Sequence, residues 1–197
     1  MSLSIFYTPD GHRRFATEEG ISISDSYKAG VAVLLEEMIQ PIIREYSIDH
    51  LDIFCLSNRN LINRDADELG DWLTVAKELL QDIVTRCLTF ANVSTVGSYL
   101  PENINIIQSP YLPTVRFFIG NSTDDTQDIT PVDLFIRSGG QMRLSGAPRA
   151  LLGDDTEIFS ISTLHPRIRF PEVQSVINSY FSRYIRFSDV NPNRHGT

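Results

Sequence analysis

Leu3-Ser4-Ile5-Phe6-Tyr7-Thr8-Pro9-Asp10-Gly11-His12-Arg13-Arg14-Phe15 is an apolar run that ends in an acid, a glycine and two arginines. The run Leu3 to Tyr7 predicts a strand, and a capped helix follows soon after. Asp10 to Arg14 are therefore expected on a loop at the strand's end. In a layered α/β fold that edge is where ligands bind. Gly11 would let backbone amides approach a phosphate closely, and Arg13 and Arg14 would neutralise and grip its oxygens. Asp10 would repel the same phosphate unless a divalent cation lay between them. The segment reads as a Mg²⁺-assisted diphosphate site, or more plainly as the turn that Pro-Asp-Gly forms by itself.

A second segment repeats the pattern. Pro131-Val132-Asp133-Leu134-Phe135-Ile136-Arg137-Ser138-Gly139-Gly140-Gln141-Met142-Arg143-Leu144-Ser145 reads as strand, glycine turn and basic loop. Two such loops at strand ends could hold two diphosphates side by side. Between and around them, Leu51 to Leu56, Val115 to Ile119, Val132 to Ile136 and Glu157 to Ile161 are near-continuous apolar or β-branched runs, as buried strands should be. Asn103 to Ile107 is a further strand candidate. Val31, Leu34, Leu35, Met38, Ile42 and Tyr46 follow helical spacing, interrupted by Pro41, which should kink or split that helix. Asp65 and Glu68 can cap the next helix reciprocally, with Leu69, Trp72, Leu73, Ala76, Leu79, Leu80, Ile83 and Cys87 on its apolar face. Pro171 opens the last helix. Strands alternating with helices predict an α/β single domain over 1–190, with a mostly parallel sheet flanked by helices and a frayed tail over 191–197.

Composition narrows the function classes. At 197 residues and 42% hydrophobic, the chain can bury a sizeable core as one domain. A net charge of −8 gives nucleic acid no bulk attraction, so any cationic site must be local. Cys55 and Cys87 fall on apolar strand and helix positions, as reduced core thiols do. Met1 leads straight into a strand, and no apolar stretch approaches ~20 residues, so neither a leader nor a membrane span is expected. The expected compartment is the cytoplasm.

Taken together, the two loops resemble the cis-prenyltransferase family, of the undecaprenyl diphosphate synthase type. Its first strand ends in Met-Asp-Gly-Asn-Gly-Arg-Trp, and a late strand carries Asp-Leu-x-Ile-Arg-Thr-Gly-Gly-Glu-x-Arg-x-Ser. Lys28-Ala29-Gly30 is similar to the family's His-Lys-Ala-Gly helix start, and Ser57 to Asn60 to its Ser-Ser-Glu-Asn turn. Glu157 with Pro166 resembles its Glu-Leu-Tyr-Phe to Trp-Pro stretch. The blocks run in family order along almost the whole chain.

The resemblance implies a Mg²⁺-dependent prenyltransferase, in which an allylic diphosphate ionises and a second prenyl unit attacks the cation. By position, Asp10 would hold Mg²⁺ and Gly11, Arg13 and Arg14 the departing diphosphate. Arg137, Arg143 and Ser145 would hold the second diphosphate, and Glu157 would help place metal there, from the same or another subunit. Asn60 would lie near the reacting centre, and Trp72 would shorten the apolar tunnel or simply pack the core. His12 would take the final proton, or bound diphosphate would do so with His12 bonded to it. The family also implies a homodimer.

The departures point to a branch. Tyr27 stands where the family has His, Ile23 where it has Arg, His12 where it has Asn and Arg59 where it has Glu. The Pro-Asp-Gly-x-Arg-Arg loop and the Asp25-Ser26-Tyr27 helix start resemble the lavandulyl and cyclolavandulyl diphosphate synthases. That branch joins two short allylic diphosphates head-to-middle, and some members then cyclise the product. The implied substrates are dimethylallyl, isopentenyl, geranyl or farnesyl diphosphate. The chain is shorter than typical family members between Ser122 and Thr130. That gap keeps a second reading open, a terpene cyclase acting on one diphosphate. A third, a non-catalytic partner subunit, is disfavoured because such subunits lose the acid that this chain keeps as Asp10.

Overall fold

The computed structural model describes residues 2–58, 62, 70, 82–83, 85–97, 109–121 and 129–190. The predicted cap at Asp65, the strand candidate at Asn103 to Ile107 and the tail over 191–197 lie outside these. Within them, β1 (Leu3–Thr8), β2 (Ile48–Ser57), β3 (Asn92–Val96), β4 (Thr114–Asn121), β5 (Leu134–Arg137) and β6 (Glu157–Ser160) form a six-stranded sheet in the order β3-β4-β2-β1-β5-β6. Every pairing is parallel. Such a sheet must be covered on both faces, which is why its strands read as apolar runs.

One face carries Leu3, Ile5, Tyr7, Leu51, Ile53 and Ile136, packed against helices. Helix α1 (His12–Glu19) follows β1 directly, and α2 (Ile23–Val33) starts at Ser22, whose Oγ accepts the Asp25 amide at 3.0 Å. The interruption expected at Pro41 takes the form of a π-helical stretch, Leu34–Ile39, before α3 (Gln40–Glu45). Proline has no N–H, and its ring crowds the carbonyl four residues back; a wider turn relieves both. Leu34, Leu35, Met38 and Ile42 remain buried through it. The last helix, α4 (Phe170–Val190), buries Val173, Ile177 and Tyr180 against the same face.

The opposite face is built on Phe6, Phe54, Phe118 and Phe135, one from each of four strands. Phe6 is their hub, with ring centroids at 5.2 Å from Phe135, 5.3 Å from Phe118 and 5.7 Å from Phe54. Further along this face, fully buried Asp52 on β2 accepts bonds from Arg116 Nε at 2.6 Å and Nη2 at 2.7 Å on β4. Burial raises the Asp52 carboxyl and Arg116 partly offsets this. Cys87 is buried, Cys55 is half-buried, and neither is in a disulfide. No helix among the described residues is long and apolar enough to cross a membrane.

A candidate two-loop anion site

The strand order reverses at β1. The chain proceeds from β1 to β2 on one side, while β5 pairs with β1 on the other. A crevice at such a switch point, outside the carboxyl ends of the strands, is the usual ligand site of an open parallel sheet. Both basic segments leave the sheet here, because Thr8 and Arg137 are register partners at the ends of β1 and β5.

Gly11 makes the exit from β1 possible. It caps α1 with φ 115° and ψ 1°, and a Cβ there would sit 2.8 Å from Leu164 Cδ2. The chain therefore enters a helix at once, and His12, Arg13 and Arg14 form its first turn rather than the loop read from the sequence. A helix start adds amides without intrahelical acceptors and a partial positive charge to the two guanidiniums. No acidic residue in that turn opposes them. Arg13, Arg14, Thr17 and Glu18 line an open groove along α1.

The two segments are stitched together. Arg137 Nη2 donates to Asp10 Oδ2 at 2.6 Å, with the Arg137 side chain only 4% exposed and that of Asp10 31%. Arg14 Nη2 donates to the Gly139 carbonyl at 2.7 Å and stands 4.0 Å from the same Asp10 oxygen. The Asp10 amide donates to Ser138 Oγ at 2.8 Å, and the Asp10 carbonyl accepts the His165 amide at 2.9 Å. Arg137 Nη1 donates to the Arg143 carbonyl at 2.5 Å, while the Arg143 side chain is exposed. Ser145 holds a positive φ of 52°, and Gly146 packs so closely on Ser57 that a Cβ would lie 2.7 Å from its Cβ. That contact brings the end of β2 to the rim. Arg59, Asn60 and Trp72 lie outside the described residues.

His12 is half-buried against α2. Its ring centroid is 5.1 Å from that of Tyr27, which is itself buried, and 5.2 Å from that of His165. A Cβ on Gly30 would lie 2.2 Å from His12 Nε2, so only glycine admits the imidazole there. Behind it stands a buried relay that the sequence reading did not single out. The Tyr7 hydroxyl bonds His165 Nδ1 at 2.7 Å, and His165 Nε2 bonds the Gly30 carbonyl at 2.8 Å. A carbonyl only accepts, so Nε2 carries the proton and Tyr7 donates to Nδ1. Burial, only partly offset by the Gly30 bond, lowers His165 to about 4. Burial also pushes the Tyr7 hydroxyl above its ordinary range. The available signal was the residue before Pro166, histidine where the resembling pattern has tryptophan.

His165 makes a stability prediction. Its folded-state value lies below the unfolded one of 6.5, so its contribution is complete above pH 6.5 and is lost as pH falls toward 4. The full loss is roughly 3 kcal/mol. Urea denaturation between pH 7 and 4 should show this slope in the wild type. In His165→Gln, which can still donate to Gly30 and accept from Tyr7, the total loss over this range should be smaller by that amount.

Glu157 does not join Asp10. It begins β6 opposite Leu134, at the amino end of the sheet, and Arg183 Nη2 pairs with it at 2.6 Å. Among the described residues no group of three or more His, Cys, Asp or Glu side chains could hold a metal. A lone, partly exposed carboxylate does fit Mg²⁺ that arrives with a substrate's phosphates, since that ion keeps most of its shell as water and phosphate oxygens.

No family model and no curated protein sequence matches the chain. Solved structures do. Lavandulyl diphosphate synthase from Lavandula x intermedia, in complex with dimethylallyl diphosphate, aligns with a TM-score of 0.76 at 19% identity, over 89% of this chain and 93% of that one. A probable undecaprenyl diphosphate synthase from Campylobacter jejuni aligns at 0.58 and 17% identity, over 91% and 95%. The parallel sheet, its flanking helices and these two likenesses together show that this chain has the cis-prenyltransferase fold.

Proposed function

We propose that this protein is a Mg²⁺-dependent prenyltransferase that couples two prenyl diphosphates into a short, irregular or cyclised product. The observation that carries the proposal is the meeting of Asp10, Arg14 and Arg137 at the carboxyl ends of β1 and β5, beside the first turn of α1. Arg13, Arg14 and the helix start would bind the oxygens of the allylic diphosphate. Asp10 would hold Mg²⁺, which when bound draws charge from that diphosphate as it departs. The allylic C–O bond breaks with its electron pair leaving on the diphosphate, and a double bond of the second substrate attacks the cation. Arg143 and Ser145 would hold the second diphosphate, with Arg137 between the two sites. A proton then leaves the coupled cation; His12, set against Gly30 and Tyr27 at this rim, is our candidate to receive it. His12→Ala should slow product formation while ionisation continues.

The substrates we propose follow the neighbour crystallised with dimethylallyl diphosphate. A cyclase acting on one diphosphate is the second reading, kept open by the short stretch between Ser122 and Thr130. Purified protein with Mg²⁺ should be given dimethylallyl, geranyl and farnesyl diphosphates, each with and without isopentenyl diphosphate, and the products weighed by mass spectrometry. A diphosphate longer than either substrate is expected. A hydrocarbon or alcohol from one substrate would favour the cyclase, and no turnover of any would refute both. We also propose a homodimer located in the cytoplasm, checked by sedimentation and by fractionation.

A further inference from the structure

Beneath the Asp10–Arg137 ion pair lies a row of donors without acceptors. Thr8 pairs with Arg137 across β1 and β5, and Arg137 pairs with Ser160 across β5 and β6. Paired residues of a parallel ladder point to the same face, with strands about 4.8 Å apart. The three side chains therefore stand in one line at the carboxyl end of the sheet. Among the described residues, Thr8 Oγ1, Arg137 Nε and Ser160 Oγ are buried and make no hydrogen bond. Thr8 is 5% exposed and Arg137 3%. Other orphaned atoms have a charged neighbour: His50 Nε2 is 3.8 Å from Asp52, and those of Glu157 and Arg183 stand in their mutual ion pair.

The surroundings say what kind of ligand is missing. Donors here that can reach a protein acceptor already use one: Arg137 through Asp10 and the Arg143 carbonyl, Arg14 through Gly139. Two guanidiniums face one carboxylate, so the local charge is positive. Two hydroxyls and an N–H stand on the same face of the sheet, the hydroxyls on the strands to either side of Arg137, and all three can donate to an anion's oxygens. Buried polar atoms of a native protein nearly always have a partner, and three orphans in one row ask for a shared one.

We propose that Thr8, Arg137 and Ser160 form a buried subsite for one phosphate group of a bound prenyl diphosphate. This rests on the prenyl diphosphate reading, and it adds Thr8 and Ser160 to the binding residues. The Arg143 carbonyl and the Ser145-Gly146 turn lie along the same loop, so a phosphate seated here would also meet the second basic segment.

Isothermal titration with inorganic pyrophosphate, in chelator and without prenyl substrate, tests the subsite directly. The wild type should bind. Thr8→Val and Ser160→Ala should each weaken binding about tenfold, and Thr8→Ser should restore it. Unchanged affinity in folded Thr8→Val and Ser160→Ala would overturn the subsite, even if their melting temperatures fell, because a structural water would then fill the row. Should Thr8→Val fail to melt cooperatively, Ser160→Ala on the edge strand decides alone. A wild type that does not bind pyrophosphate also overturns the proposal. Affinity lost as expected in a protein that turns over no prenyl diphosphate would uphold the subsite and sink the prenyltransferase reading. Unchanged affinity beside normal turnover would do the reverse.

Discussion

Asp10→Asn should lower turnover of an allylic diphosphate by about 10³-fold, the scale on which a positioned charge at a leaving group acts. The substitution keeps the shape of the side chain and removes its charge. It also changes Arg137, whose almost buried guanidinium donates to Asp10 Oδ2 at 2.6 Å. An amide oxygen can still accept that bond but cannot neutralise it. The variant should therefore unfold more easily by roughly 2 kcal/mol, less than for a wholly buried pair because Asp10 is partly exposed. Anion binding should not suffer, since Arg14 and Arg137 lose a competing carboxylate. A fall in kcat with KM unchanged or lower is the expected pattern, read by pyrophosphate release. A raised KM with kcat intact would place Asp10 in substrate binding alone.

Gly11→Ala should destabilise the fold by about 3 kcal/mol and misplace the rim with it. A φ of 115° with ψ near zero is closed to ordinary L-residues, at a cost of roughly 1–3 kcal/mol. The new methyl would also stand 2.8 Å from Leu164 Cδ2 and 3.1 Å from its backbone Cα, which cannot rotate away. Leu164 precedes His165, whose amide holds the Asp10 carbonyl, so relief of the clash would shift Asp10 itself. A melting temperature lower by about 6–12 °C is expected. Gly20→Ala is the control. Its φ is 65° with nothing within 4 Å of the added Cβ, so it should cost only about 1 kcal/mol.

Most of the strands were legible because buried parallel strands write themselves as unbroken apolar runs. β1, β2, β4, β5 and β6 all lie on such runs. β3 was not read because Asn92-Val93-Ser94-Thr95-Val96 is a short edge strand, polar enough to pass for a turn. Asp52 hid inside an apolar run for a related reason: its partner Arg116 stands in another run, and pairing across strands has no local signature. The two basic segments were found by residue type, yet their geometry was not. Nothing local told that Gly11 would start a helix at once, or that Arg137 would be buried against Asp10. His165 escaped because its partners, Tyr7 and Gly30, come from β1 and α2, far away in sequence. The match of Glu157 to the family pattern likewise said nothing of the end of the sheet on which it falls.

The account rests on the rim between β1 and β5 as the seat of an allylic diphosphate. A crystal structure with Mg²⁺ and a thiolo analogue of dimethylallyl diphosphate, which cannot ionise readily, examines that seat directly. The diphosphate should lie on the first turn of α1, within hydrogen-bond reach of Arg14, with the cation between it and Asp10. A diphosphate bound elsewhere, with the Asp10–Arg137 pair intact and the start of α1 bare, would contradict the account.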